Sequence, residues 1–209
     1  MVTTSEINAI YRVLRKHMKA YIRGDNLPVA SMRGTRLELV NVWEELKYES
    51  IVEVGVFKGE FSEEILKRNP QCHMYCVDPW STYKFNYRTE EMQLRFYNEC
   101  LKRLKPFIDG DRVTIIKKYS HDAVNQFEDN SLDVVYLDGD HHFDQIVIDI
   151  IKWHKKIKIG GMMAIHDYCH MRLGGVVEAV QAFTTTHNIR PWFVTREIYP
   201  TAYWVKEND

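Results

Sequence analysis

The sequence predicts an α/β domain built on a doubly wound, mostly parallel sheet of seven strands, with N-terminal helices and a C-terminal antiparallel hairpin. Three observations carry this. From residue 50 onward, short apolar runs alternate with helical patterns. Runs such as Ile51–Val54 are near-continuous, as strands buried on both faces require. The last two strand-like segments, in contrast, are joined by a short turn containing Pro200, which reads as a hairpin. An alternating series of this kind makes an open sheet covered by helices on both faces.

The elements follow in order. Ile7, Ile10, Tyr11, Leu14, Met18 and Tyr21–Ile22 recur at helical spacing, and a turn around Gly24-Asp25-Asn26-Leu27-Pro28 ends that helix. Thr35-Arg36-Leu37-Glu38 has capping-box form and leads a second helix through Leu39, Val42, Trp43 and Leu46. Strand Ile51–Val54, helix Gly59–Arg68 and strand Cys72–Val77 come next. A long polar and aromatic stretch enters a helix near Glu90–Leu104, followed by strand Arg112–Lys117, a short helix over Ser120–Phe127 and strand Leu132–Leu137. Helix Phe143–Ile157 carries Phe143, Ile146, Val147, Ile150, Trp153, His154 and Ile157 on one stripe. Gly160-Gly161 is expected to break it before strand Met162–Ile165. Helix Val176–Thr185 precedes the hairpin strands Pro191–Thr195 and Ala202–Val205. No linker interrupts the chain, so residues 1–49 read as a helical extension of the same domain and 50–209 as its ligand-binding part.

Composition narrows the partners. At 209 residues, 45% hydrophobic and 27% charged, the chain is long enough for one full core and too apolar for disorder. Lys+Arg 28 against Asp+Glu 29 leaves a net charge of −1, so no global basic field exists and a nucleic-acid partner is not expected. The longest apolar runs are strand-sized and the N-terminus lacks a signal-peptide layout, so no membrane partner is expected. Four cysteines without framework spacing point to a reducing, cytoplasmic location, with Cys72 and Cys76 as small buried side chains.

In such sheets the ligand sits beyond the carboxyl ends of the strands, so the residues just after each strand are the candidates. Strand one ends Glu53-Val54-Gly55-Val56-Phe57-Lys58-Gly59. Gly55 permits a tight turn and Gly59 a helix start close to a ligand. Glu53 is a carboxylate at the end of an apolar strand and needs a partner, either a ligand ammonium or a local lysine such as Lys58. Asp78 ends strand two, where a carboxylate can accept hydrogen bonds from both ribose hydroxyls. The Glu-x-Gly-x-x-x-Gly spacing, the lack of a second domain for a hydride acceptor and the final hairpin favour S-adenosylmethionine over a dinucleotide.

The sequence resembles the class I S-adenosylmethionine-dependent methyltransferases, specifically metal-dependent small-molecule O-methyltransferases of the macrocin type. The segments that carry the resemblance are Val52-Glu-Val-Gly-Val-Phe-Lys-Gly59, Val77-Asp-Pro-Trp80, Tyr119-Ser-His-Asp-Ala123, Leu137-Asp-Gly-Asp-His-His-Phe143 and Gly160-Gly-Met-Met-Ala-Ile-His-Asp-Tyr168. It implies a Rossmann-like methyltransferase fold with Glu53, Gly55 and Gly59 around the methionine part of the cofactor. It further implies Asp78 at the ribose, Ser120 and His121 near the adenine, and Trp80 either stacked on the adenine or in a lid, with a core role for Trp80 weighed equally.

The chemical site is expected where Asp138 and His166-Asp167 close neighbouring strands. Asp138 would touch both cofactor and substrate, and Asp138, His166 and Asp167 could converge on a divalent cation. The family more often has a carboxylate or amide where His166 stands, which leaves the metal's identity, and the need for one, open. The resemblance nominates His141 as the base that takes a proton from an acceptor hydroxyl, with Asp138 beside it. His141 and His142 adjoin, so only one can point into the cleft. Asp140 reads as a helix-start residue and His154 as packing. Trp80–Arg88 reads as a lid or as a packed loop, and Ala20–Ser31 as a lid or a homodimer contact. The expected activity is metal-assisted O-methylation of a small molecule or glycan; the alternatives are a metal-dependent hydrolase using the Asp138/His166/Asp167 cluster and a non-catalytic cofactor-binding module.

Overall fold

A computed structural model describes residues 2–20, 28–31, 33–82, 88–171 and 174–208. The element order is α1 (Thr4–Met18), β1 (Val29–Ala30), α2 (Arg36–Glu45), β2 (Ser50–Val54), α3 (Glu60–Arg68), β3 (His73–Val77), α4 (Glu90–Asp109), β4 (Val113–Ile116), α5 (Ser120–Ala123), β5 (Leu132–Leu137), α6 (Phe143–His154), β6 (Ile157–Ile165), α7 (Val176–Thr186), β7 (Phe193–Val194) and β8 (Ala202–Val205). They form one sheet in the order β1-β7-β8-β6-β5-β2-β3-β4. Strands β2 to β6 are parallel, and β8 runs antiparallel to both β6 and β7.

Among the described residues the sheet has eight strands where seven were expected. The extra one, β1, is two residues long and pairs with β7 through Val29 and Ala30. Two residues carry no periodicity, which is why the sequence does not announce it. A second correction concerns Gly160-Gly161. Helix α6 already ends at His154, and the glycines lie inside β6. Gly160 has φ +89, and a Cβ on Gly161 would come within 2.6 Å of the Asp133 carbonyl oxygen. The pair accommodates the register irregularity between β5 and β6 at Leu132/Val134.

Period-two alternation assigns each central strand residue to one of two cores. Ile51 packs with α1, α2, α3 and α4, through Leu14, Met18, Trp43, Ile65 and Leu104. Val52 and Val54 pack with α6 and α7, through Ile146, Ile150, Trp153 and Val180. Helix α1 belongs to the first core because Ile10, Leu14 and Met18 share its buried stripe. Capping boxes fix its start at Thr3/Glu6 and that of α2 at Thr35/Glu38. Among the described residues, no helix is long and apolar enough to cross a membrane.

Candidate functional site

The sheet order reverses at β2, whose neighbours are β3 and β5, and a cavity of about 780 Å³ opens beyond these strand ends. That is within the usual range for a cofactor site, about 300–1,000 Å³. Its walls include Val54, Gly55 and Phe57 after β2, Asp78 after β3, Tyr119, Ser120 and His121 after β4, Asp138, Gly139, Asp140 and His141 after β5, and Asp167 after β6. Gln145 and Asp149 of α6, Gln93 of α4 and Arg88 just before that helix also line it.

Gly55 holds the floor together. Its N–H donates to Val77 O at 2.8 Å, and the Asp138 N–H donates to Val54 O at 2.7 Å. With φ +93 at Gly55, a Cβ there would stand 2.1 Å from the Asp138 carbonyl oxygen, which is backbone and cannot yield. Gly55→Ala is therefore expected to cost at least about 3 kcal/mol of stability; an unchanged melting temperature would contradict this packing. Gly59 lies outside the cavity walls. It takes φ +73 as the N-cap of α3, and a Cβ on it would press within 3.1 Å of Cys100 Sγ on α4. Its service is to let the two helices approach.

Glu53 shares the face of Ile51, not that of Val52, so its carboxylate turns into the first core. It is 2% exposed and accepts a hydrogen bond from the Ser62 hydroxyl, while Lys58 pairs with Glu99 at 3.1 Å. Glu53 is not part of the cavity wall. Burial pushes its pKa from 4.5 up to about 8, the Ser62 hydroxyl opposing and Asp138 adding. A carboxyl raised in the folded state holds its proton there longer than in the unfolded chain, so stability falls as pH climbs from about 4.5 toward 8. Glu53→Gln should thus gain on the parent between pH 6 and pH 8, by roughly 5 °C in melting temperature. A constant difference across that range would refute the buried, protonated carboxyl.

Asp78 is preorganised. One oxygen accepts from Phe57 N at 2.9 Å and the other from Trp80 N at 2.7 Å. Burial raises its pKa, with those backbone donors opposing. Trp80 takes the core role: 4% exposed, its indole N–H donates to Phe57 O at 2.7 Å and its ring meets Tyr97 at 4.9 Å. Of the Trp80–Arg88 stretch, 83–87 lie outside the described residues, as do 21–27 of the Ala20–Ser31 segment. Arg88 lines the cavity and stacks over Phe57 at 4.5 Å.

At the β5 and β6 ends, His141 Nε2 is 3.1 Å from Asp167 and 3.7 Å from Asp138, and His166 Nδ1 is 3.3 Å from Asp138 and 3.4 Å from Asp167. His142 turns away and its ring meets Asp140 at 2.5 Å, so His141 is the one that joins the cluster. Burial lowers the pKa of His141, but Asp138 and Asp167 outweigh it and raise the value overall. The same contacts, against burial, hold Asp138 below the ordinary carboxylate range.

Asp138, His141 and Asp167 each offer a ligand atom within 4.8 Å of the others. His141 Nε2 is buried without a well-directed hydrogen bond, so the group fits a divalent cation. The expected ligand His166 sits differently. Its Nε2 faces Arg36 Nη1 at 3.2 Å, and a guanidinium only donates. Burial disfavours the imidazolium, yet Asp138 and Asp167 push the pKa up to about 9, while Arg36 opposes a proton on Nε2. His166 Nδ1, like His141 Nε2, lies near both carboxylates without a well-directed hydrogen bond. A ligating imidazole also needs an acceptor for its second N–H, and Arg36 gives none. His166 thus lies beside Asp138 and Asp167 but outside the group whose ligand atoms cluster.

Arg36 and Asp149 are among the residues of the site that were not anticipated. Arg36 lies 4.0 Å from Asp138 and over the Phe61 ring at 4.9 Å; a cation in the first turn of α2 opposes the helix dipole, which is a signal of a partner elsewhere. Asp149 is 3% exposed and accepts from Ser120 Oγ at 2.6 Å and Gln145 Nε2 at 3.0 Å. Its signal is an acid three residues from Ile146 and four from Trp153, on the buried stripe.

Comparison with known proteins gives a consistent picture. A family model described as a methyltransferase domain matches residues 52–168. An uncharacterized protein of Acanthamoeba polyphaga mimivirus is 28% identical over 123 residues, 56% of this chain and 50% of that protein. The chain thus spans about half the length of the curated relative it matches. Among solved structures, cofactor-bound Rv0187 from MTB superposes with a TM-score of 0.59 at 11% identity, covering 99% of this chain and 92% of that one. The O-methyltransferase NovP gives 0.58 at 18% identity, covering 83% and 80%. At such identities the likeness shows the fold.

Proposed function

The chain belongs to the methyltransferase-domain family, and we propose that it is an S-adenosylmethionine-dependent methyltransferase acting on a hydroxyl of a small-molecule or glycan acceptor, with His141 as the base. The observation that carries this is that a single cavity is walled both by Asp78 and by the Asp138/His141/Asp167 cluster. Bound there, the cofactor supplies a methyl already made electrophilic by its sulfonium. The chain's own tasks are alignment and proton removal. Asp78, fixed by two backbone donors, is placed to accept from the ribose hydroxyls. His141, its Nε2 turned to Asp167, would take the acceptor's proton on the other ring nitrogen, Nδ1, as the new C–O bond forms and the C–S bond breaks. Arg36 flanks Asp138, and His166 flanks both carboxylates. Calorimetric titration with S-adenosylhomocysteine, followed by transfer of labelled methyl to a panel of phenols and sugars, tests the reading; no saturable binding would end it.

The fit of Asp138, His141 and Asp167 to a divalent cation favours a second version, in which His141 is a ligand. A cation there would lower the pKa of the acceptor hydroxyl and fix its direction. Chelation separates the two. Loss of turnover restored by one of Mg²⁺, Mn²⁺ or Zn²⁺ selects the metal version; full turnover in chelator selects His141 as base.

A further inference from the structure

The start of α2 and the turn between β7 and β8 both lie outside residues 52–168, the span that the family model matches. They meet beside the chemical end of the site, and the turn is tied on both sides. Toward β6, the Tyr168 N–H donates to Pro200 O at 2.8 Å, one residue past Asp167. The Thr201 N–H donates to Thr195 Oγ1 at 2.7 Å and closes the turn. Toward α2, the Arg196 N–H donates to Gly34 O at 2.8 Å. Glu197 Oε1 then accepts from the Arg36 N–H at 2.8 Å, and Thr195 Oγ1 donates to the same oxygen at 2.8 Å, which fixes its direction. Arg36 is the first residue of α2, so its N–H has no acceptor within the helix. The local cap does not supply one, because Thr35 Oγ1 serves Leu37 N and Glu38 serves Thr35 N. The acceptor comes instead from 161 residues away.

We infer that Glu197 is a positioning residue: by holding the Arg36 main chain it sets where the guanidinium meets Asp138 and His166. Those contacts are at 4.0 Å and 3.2 Å, so a small shift of the first residue of α2 is enough to undo them. Glu197 itself does not line the cavity and touches neither cofactor nor acceptor. The inference rests on the methyl-transfer reading and adds to it a device, built from α2 and the hairpin, that orders the reacting end.

The test is made on the full chain with four readouts: labelled-methyl turnover, S-adenosylhomocysteine affinity, melting temperature and the Arg36 Nε–H signal in a proton–nitrogen correlation spectrum. Glu197→Ala should lower turnover by about 10–100-fold, leave the affinity unchanged and displace the Arg36 signal. Glu197→Gln keeps an acceptor oxygen for the Arg36 N–H and should restore both turnover and signal. Added to Arg36→Met, Glu197→Ala should cost less than about twofold more, since the two act in one chain of contacts. A lower melting temperature with the parent's turnover and Arg36 signal would leave Glu197 a helix cap only and overturn the inference. A loss fully additive with that of Arg36→Met, or an equal loss of cofactor affinity, would overturn it as well. Should the parent methylate no acceptor, the methyl-transfer reading fails, and the Arg36 signal decides the rest. Displaced in Glu197→Ala and restored in Glu197→Gln, it supports the positioning role; unchanged in both, it refutes it.

Discussion

His141→Ala should lower the rate of methyl transfer by about 10²–10⁴-fold while leaving affinity for S-adenosylhomocysteine unchanged. The magnitude is that of losing a positioned base. The separation of rate from affinity follows from place: His141 meets Asp138 and Asp167 at the ends of β5 and β6, whereas the proposed ribose contact is after β3. Labelled-methyl turnover and calorimetry on the same preparation check both halves. Turnover within a few-fold of the parent would remove His141 from the mechanism, and a matching loss of cofactor affinity would show that it shapes the cavity instead.

Asp78→Ala should do the reverse, weakening S-adenosylhomocysteine by about 100-fold, which is the order expected for removing two hydroxyl-to-carboxylate hydrogen bonds. The substitution also strips the Phe57 and Trp80 amides of their acceptor, so Asp78→Asn is the gentler companion. It keeps one acceptor oxygen and should fall between Asp78→Ala and the parent. Titration of all three proteins reads this directly, and equal affinities across the set would exclude Asp78 from the site.

The pattern of what the sequence discloses follows from how each residue acts. Asp78, Ser120, His121, Asp138, His141 and Asp167 were legible because each follows a parallel strand, and the topology alone carries strand ends to one crevice. Glu53 has the same credentials, but a single step along a strand decides which face a side chain takes, and Glu53 turns to Ser62. Gly59 and Trp80 sit at the expected turns yet serve packing, against Cys100 and Tyr97; glycine and tryptophan suit either use, and only the neighbours decide. Arg36 and His166 are 130 residues apart in sequence, and their contact at 3.2 Å depends on how α2 lies across the sheet, which no local spacing encodes. Asp149 was hidden by its own surroundings, since a stripe of Ile146, Ile150 and Trp153 reads as core. Eight strands were found for seven because β1 is held by tertiary pairing alone.

In the proposed reaction the crevice beyond β2, β3 and β5 holds the methyl donor with its sulfur turned toward the Asp138/His141/Asp167 cluster. A crystal structure of the chain with S-adenosylhomocysteine measures this most directly. Ribose hydroxyls are expected on Asp78, the base on the side of Ser120 and His121, and the sulfur on the side of His141. Ligand density elsewhere on the molecule, or a sulfur directed away from that cluster, would contradict it.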